Sequence, residues 1–324
     1  MSAVIERARK DPVPRPEIER TPLDASRIGQ IERPLSLVER LWNVQIVRNL
    51  AVLVMFVVLW EAYTRIADVP ALLFPSFTDT CVAIVAAFND HRMIAKISFT
   101  LSSLLTGYAV GLFAAAVLVS LASIWRVWAD ILMTATAMFN PLPSIALLPL
   151  AMLWFGLGTF SLVFILIHAV LWAVALNAYV GFQGVSQTQR MVGQNYGLRG
   201  VMFAIKILIP AALATVLSGM KIGWAFAWRT LIAAELVFGA TARGGGLGWH
   251  IFEHSELLNT TQVFAGLFMI ILIGVLVEYV IFRTLELRTV RRWGMQRRIV
   301  SRLLQIAISS SWARRASGAA PPPG

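Results

Sequence analysis

The chain has 324 residues, of which 58% are hydrophobic and only 14% charged. Soluble domains are roughly half apolar and about a quarter charged, so this composition excludes an ordinary water-soluble globule. The net charge of +11 gathers at the two ends and in polar loops, which suits loops facing anionic lipid headgroups and speaks against a nucleic-acid groove.

Residues 1–47 are rich in Pro, Arg and Glu and read as a disordered cytosolic arm, with a short helix near Leu35–Leu41. They offer no apolar stretch for a cleavable signal peptide. The first apolar block is "RNLAVLVMFVVLWEAYTRIA", Arg48–Ala67, long enough as a helix to cross about 30 Å of hydrocarbon. An extramembrane connection over 68–97 follows, with an amphipathic helix in "TDTCVAIVAAFND". Further spans are expected near Ser98–Ile124, Ala129–Phe155, Phe160–Phe182, Ala211–Phe238 and Val263–Leu285. The result is an all-α membrane protein of about six transmembrane helices, with a membrane domain over 48–288 and a basic cytosolic tail over 289–324. The alternating pattern of an outer-membrane barrel is absent.

Charge orients these spans. Nine Lys and Arg residues lie in 1–48, three (Arg190, Arg199, Lys206) lie between the fourth and fifth spans, and nine lie from Arg283 onward. The positive-inside rule places both termini and the segment around Gly197 in the cytoplasm, and an even number of spans agrees.

The third span carries Pro141, Pro143 and Pro149, three prolines in nine residues. Each removes a backbone donor, so the helix must kink or break, which at membrane depth points to a helix lining a path. Intramembrane charge marks a second group: Glu61 in the first span, and Lys221, Arg229 and Glu235 in the fifth. Such groups face a bundle interior or cavity. Arg229 and Glu235 are six residues apart, on nearly opposite helix faces, and are poor partners for each other. Arg229 either pairs with a carboxylate such as Glu61 or lines the pathway; Lys221 reaches the interface by snorkelling.

Other motifs exclude chemistries. The phosphate-cradling GxxxxGK[ST] loop is absent, so no ATP site of that kind is expected. "ARGGGLG", Ala242–Gly248, lacks dinucleotide-binding spacing and reads as a flexible non-cytosolic turn. His250 and His254 share one face of a loop helix expected to be solvated, and no metal site is expected there. The single Cys81 excludes an intramolecular disulfide. A membrane-embedded enzyme would need His, Asp or Glu clustered at one depth, which the spans do not supply.

The polar segment Met191–Pro210, "MVGQNYGLRGVMFAIKILIP", resembles the cytosolic EAA loop of ABC importer permeases. Gly197, Ile207 and Pro210 match that loop's glycine, isoleucine and proline, whereas Met191, Val192 and Gly193 stand in place of Glu-Ala-Ala and Ile209 replaces a leucine. "NPLPSIALLPLAMLWFGLG", "SGMKIGWAFAWRTLIAAELV" and "GGGLGWHI" are similar to other segments of the nitrate, sulfonate, taurine and bicarbonate subfamily, and the likeness runs from about Leu50 to Arg288. The resemblance implies the type I ABC importer (MetI-like) permease fold and a coupling loop over 183–210, with Gly197, Arg199, Ile207 and Pro210 as coupling residues. Pro210 would mark the change from loop helix to span. Pro141, Pro143, Pro149, Arg229 and Glu235 are the pathway candidates.

The resemblance also implies a homodimer in membrane lipid, two cytosolic ABC ATPase subunits and an extracytoplasmic substrate-binding protein. No cofactor would be bound by this chain, with ATP and Mg held on the ATPase subunits. The cargo would be a small anion such as nitrate, a sulfonate, taurine or bicarbonate. An ion-coupled secondary transporter is the alternative, and it calls for an inverted repeat with paired broken helices, of which only one broken span is visible.

Overall fold

The computed structural model describes residues 44–89, 92–238 and 245–291. The expected arm up to residue 43, with its helix near Leu35–Leu41, and the tail from residue 292 lie outside the described residues. Chain contacts define two units, Met1–Leu59 and Trp60–Gly324. In the first, the described residues form the leading part of helix α1 (Gln45–Ile66), an apolar surface on which Leu50, Leu53, Phe56 and Leu59 are all exposed. A helix apolar all round suits a lipid surrounding.

The second unit contains every other element. Helix α2 (Phe77–Asn89) starts at a reciprocal cap, in which the Ser76 hydroxyl accepts from the Asp79 amide at 3.0 Å and donates to its carboxylate at 2.7 Å. Helix α3 (Arg92–Ile124) begins earlier than the Ser98 expected. Nothing in "RMIAKI" breaks a helix, and that first turn is anchored by buried Met93 and by Lys96, which pairs with Glu253.

The third span is broken as the prolines require. Helix α4 (Arg126–Phe139) meets a 3₁₀ turn, Ser144–Leu147, and helix α5 (Leu148–Phe155) at a bend of 90°. Pro141 and Pro143 occupy the break. Pro149 sits in the first turn of α5, where its missing N–H has no intrahelical acceptor to lose, so it opens a helix instead of kinking one.

Helix α6 (Thr159–Gln183) is the most buried, and α3 and α8 (Gly200–Val237) pack on either side of it. Glycines let the three approach. A Cβ at Gly107 of α3 would come within 2.5 Å of Leu166, and one at Gly223 of α8 within 2.9 Å of Val174. Gly107 with Gly111, and Gly219 with Gly223, repeat the four-residue spacing by which small residues bring membrane helices together.

Helix α7 (Gln187–Asn195) lies between α6 and α8, and helix α9 (Leu247–Glu256) lies between α8 and α10 (Thr260–Thr289). Among the described residues, five helices are long and apolar enough to cross a membrane, six with the bent α4–α5 pair as one span. That agrees with the expected count.

Candidate functional site

The segment between α6 and α8 is fixed at both ends by its own side chains and backbone. At the start of α7 the Ser186 hydroxyl accepts from the Gln189 amide at 3.4 Å and donates to its side-chain oxygen at 3.1 Å. At the end, Gly197 takes φ +72°, the left-handed turn that favours glycine. The Leu198 amide then donates to Gly193 O at 3.1 Å and the Gly197 amide to Gln194 O at 2.9 Å, which together close the helix terminus. Arg190 ties the helix to its neighbour, donating from Nε to Val185 O at 3.2 Å and from Nη2 to Phe182 O at 2.5 Å.

Gly193 is the cramped position of this segment. It is buried, and a Cβ there would lie 2.7 Å from Phe203 and 2.8 Å from Ile207. Ile207 therefore packs inward against α7. Met191 and Val192 point outward with Tyr196, which is 81% exposed, so a polar loop helix presents apolar side chains to solvent. Arg199 and Lys206 are exposed beside them.

The boundary expected at Pro210 lies elsewhere. Helix α8 starts at Gly200 and runs through Pro210, so the loop ends at the Gly197–Gly200 turn. A π turn at Ala204–Leu208 immediately precedes Ile209 and Pro210. The wider turn accommodates a residue that has no N–H to give and whose ring crowds the preceding carbonyls.

The second candidate site is a cavity of about 370 Å³ at the α4–α5 break. It is lined by Pro141 and Pro143 from the break, His168 and Trp172 from α6, and Arg229 from α8. Pro149 is not among its lining residues. Ser144 Oγ lies 3.0 Å from His168 Nδ1. Phe139 stacks on Trp172 with ring centres 5.2 Å apart, and meets His168 edge-on at 6.4 Å. His168 Nε2 and Trp172 Nε1 are buried with no hydrogen-bond partner among the described residues. A buried polar group left without a partner costs about 1–3 kcal/mol, so two in adjacent turns of one helix call for a reason.

Arg229 and Glu235 part company. Arg229 lines the cavity, donates from Nε to Ala225 O at 3.1 Å and lies over the Phe226 ring at 5.6 Å. It forms no ion pair among the described residues, and the suggested partner Glu61 is engaged by Arg65 at 2.6 Å and by the Thr78 hydroxyl at 2.6 Å. Lys221 pairs with Glu278 at 3.0 Å. Glu235 is 2% exposed and outside the cavity lining. Its carboxylate accepts from the Gly248 amide at 2.9 Å and from the Thr100 hydroxyl at 2.9 Å, while Thr100 Oγ1 accepts from the Leu247 amide at 2.9 Å. Glu235 is thus the N-terminal cap of α9, a helix whose own cap residue, Gly246, has no side chain to offer.

This geometry also corrects the reading of "ARGGGLG". Residues 242–244 lie outside the described residues, but Gly246 and Gly248 are packed tightly: a Cβ on Gly246 would strike the Glu235 carboxylate and the Thr100 hydroxyl. His250, expected in solvent, is 4% exposed, and its ring centre is 4.3 Å from that of His254. Burial pushes the His250 imidazole down to about 4 and lowers His254 as well. Lys96, bonded to Glu253 at 2.5 Å, holds that carboxyl below its ordinary value. Among the described residues there is no group of three or more metal-ligating side chains.

Residues 107–289 match the family described as the binding-protein-dependent transport system inner membrane component. The chain belongs to that family. As such an inner-membrane component it is a multi-pass membrane protein, and the matched region takes in α7, the α4–α5 break and the α9 cap. Among its relatives is the taurine transport system permease protein of Escherichia coli, 34% identical over 141 residues, which are 44% of this chain and 50% of the relative. A second is the nitrate import permease protein of a Synechocystis, 28% identical over 178 residues, 54% of this chain and 63% of the relative. A third is described as an ABC transporter permease protein in Methanocaldococcus jannaschii, 25% identical over 238 residues, 72% of this chain and 88% of the relative. The alignments to the first two thus span half to somewhat under two thirds of those relatives' length.

Sequence reasoning did not single out four residues of this inner-membrane component. Gly193 registered as a departure from Glu-Ala-Ala, although a small residue under Phe203 and Ile207 is what the packing needs. Arg190 counted only as a charge, although its bonds are to carbonyls. His168 and Trp172, four residues apart on one face of α6, were a legible signal, a polar aromatic pair inside an apolar span.

Proposed function

We propose that this chain is the transmembrane subunit of an ATP-driven ABC importer for a small anion such as nitrate, a sulfonate, taurine or bicarbonate. It acts as a homodimer in the lipid bilayer, with two cytosolic ATPase subunits and an extracytoplasmic binding protein. The chain carries no ATPase site of its own; ATP and its magnesium belong to the partners. Both termini and α7 face the cytosol and α9 faces the outside, as the clustering of Lys and Arg favours. Residues 1–47 and 289–324 are cytosolic.

The observation that carries this reading is α7 itself. A short helix is capped at both ends, tied to α6 by Arg190 and held against α8 at Gly193, and it presents Met191, Val192 and Tyr196 outward. Such a helix transmits a push between partner and spans because its own geometry is fixed. Gly197, Arg199, Ile207 and Pro210 serve it as turn, rim charge, inward anchor and continuation into α8. Family membership and relatives named as ABC permeases favour this reading over ion-coupled secondary transport.

Gly197→Asp tests it. Asp is one of the few residues that adopt a left-handed backbone, at some strain, and nothing lies within 4 Å of where its Cβ would be, so a negative charge is added to the docking face without a clash. ATPase recovered on the tagged chain should fall while membrane insertion stays normal. Unchanged recovery together with unchanged uptake would remove the loop from coupling.

A further inference from the structure

The cavity at the α4–α5 break is lined by donors and by no carboxylate. His168 and Trp172 occupy one face of α6, and both Nε2 and Nε1 are buried without a hydrogen-bond partner among the described residues. Ser144 Oγ lies 3.0 Å from His168 Nδ1, and in the tautomer in which the hydroxyl donates to Nδ1 the imidazole proton sits on Nε2. Arg229 lines the same cavity from α8, and among the described residues it donates from Nε alone, to Ala225 O, which leaves the terminal nitrogens of the guanidinium for a ligand. Phe139, the last residue of α4, is stacked over the indole and edge-on to the imidazole.

We propose that this cavity is an oxyanion-binding subsite inside the transmembrane subunit. Trp172 Nε1–H, His168 Nε2–H and the Arg229 guanidinium are its donors, and Phe139 is the ring that covers the two α6 donors and must swing aside for the anion to reach them. The proposal rests on the importer reading and deepens it by naming the residues that recognise the cargo's headgroup. A trigonal or tetrahedral oxyanion offers several acceptor oxygens around one centre, which matches an arginine fork plus two single N–H donors. A cation would meet no carboxylate there. An uncharged apolar solute would leave both buried N–H groups unsatisfied. The hinge position matters too: Phe139 and Ser144 stand on either side of Pro141 and Pro143, so a change in the bend moves the cover and the imidazole's partner together.

The test uses the full chain purified with its ATPase in detergent, without binding protein. Thermal midpoints are measured against nitrate, bicarbonate and methanesulfonate, with chloride at matched ionic strength. At least one oxyanion should raise the midpoint saturably where chloride does not. Trp172→Phe keeps the ring and the stack but deletes the N–H; it and Arg229→Gln should each raise the half-saturating concentration by about tenfold or more. Ligand-free Trp172→Phe should melt no lower than the parent, since it loses only an unsatisfied donor, and that separates a recognition role from a structural one. No oxyanion-specific shift in the parent, or parental half-saturation in both variants, overturns the subsite. If ATPase co-purifies and uptake proceeds while the shift is missing, the subsite alone fails. If no ATPase co-purifies, the importer reading fails and the subsite falls with it.

Discussion

The Glu235 carboxylate accepts the Gly248 amide at 2.9 Å, joining the C-terminal end of α8 to the first turn of α9. Glu61 does the same for α2, where it accepts the Thr78 amide at 3.1 Å. Both intramembrane carboxylates thus cap short helices that join spans, and both exploit the positive end of a helix dipole. Glu235→Ala strands the Gly248 amide and the Thr100 hydroxyl, an expected loss of about 2 kcal/mol from two buried groups. Glu235→Gln keeps an acceptor oxygen and should lose less. Thermal melting in detergent checks the order, parent above Gln above Ala. A Gln variant that melts like the parent yet does not transport would return Glu235 to the pathway.

The spans and the break were legible in the sequence because hydropathy and proline act locally. Twenty apolar residues in a row cross a membrane whatever they pack against, and Pro141 with Pro143 must interrupt a helix. Roles that depend on a distant partner were not legible. Glu235 read as a pathway charge because its acceptor duty is toward Thr100, 135 residues away, and toward an amide that exists as an orphan only once α9 forms. Pro210 read as a boundary for the opposite reason: a local rule was overridden by a π turn that lets the helix continue.

Gly193 should tolerate no side chain unless its neighbours shrink. Gly193→Ala places a Cβ 2.8 Å from Ile207 and 2.7 Å from the Phe203 ring, so α7 must move away from α8. ATPase-driven uptake should drop severalfold, with insertion intact. Ile207→Ala removes the atoms on one side of that collision, so Gly193→Ala with Ile207→Ala should recover part of the uptake. A double variant worse than either single change would show that Ile207 acts through something other than this contact.

Topology is open to chemical labelling, and the structure selects the positions. Gly245 is unsuited, because its φ of +74° strains any side chain and a Cβ would run into Trp249. Leu257, at the end of α9, is 69% exposed and carries no such strain. In a Cys81→Ser background, Leu257→Cys should react with an impermeant thiol reagent in intact cells and Gln187→Cys, on α7, should not. Reversed labelling inverts the orientation proposed for both helices.

The α9 histidines make stability depend on pH with a definite sign. Burial, followed by the nearby His254 and Lys96 charges, lowers the folded pKa of His250 from 6.5 to about 4. The groups around it are Lys96 of α3, Gln262 of α10, and Glu253 and His254 of α9 itself. The folded state therefore keeps the ring neutral, while the unfolded chain takes up a proton as pH falls below about 6.5. Stability is full above that range and is lost progressively down to about pH 4, by about 2 kcal/mol at pH 5 from His250 alone. His254, also lowered by burial, acts in the same direction. Glu253, held low by Lys96, keeps its ion pair through this window, and its contribution is lost only as pH falls further through its lowered pKa. Melting the parent and His250→Gln in detergent at pH 7.5 and pH 5 should give a smaller drop for the variant, which has no proton to take. Equal drops in the two proteins would mean that the pH response does not arise from His250.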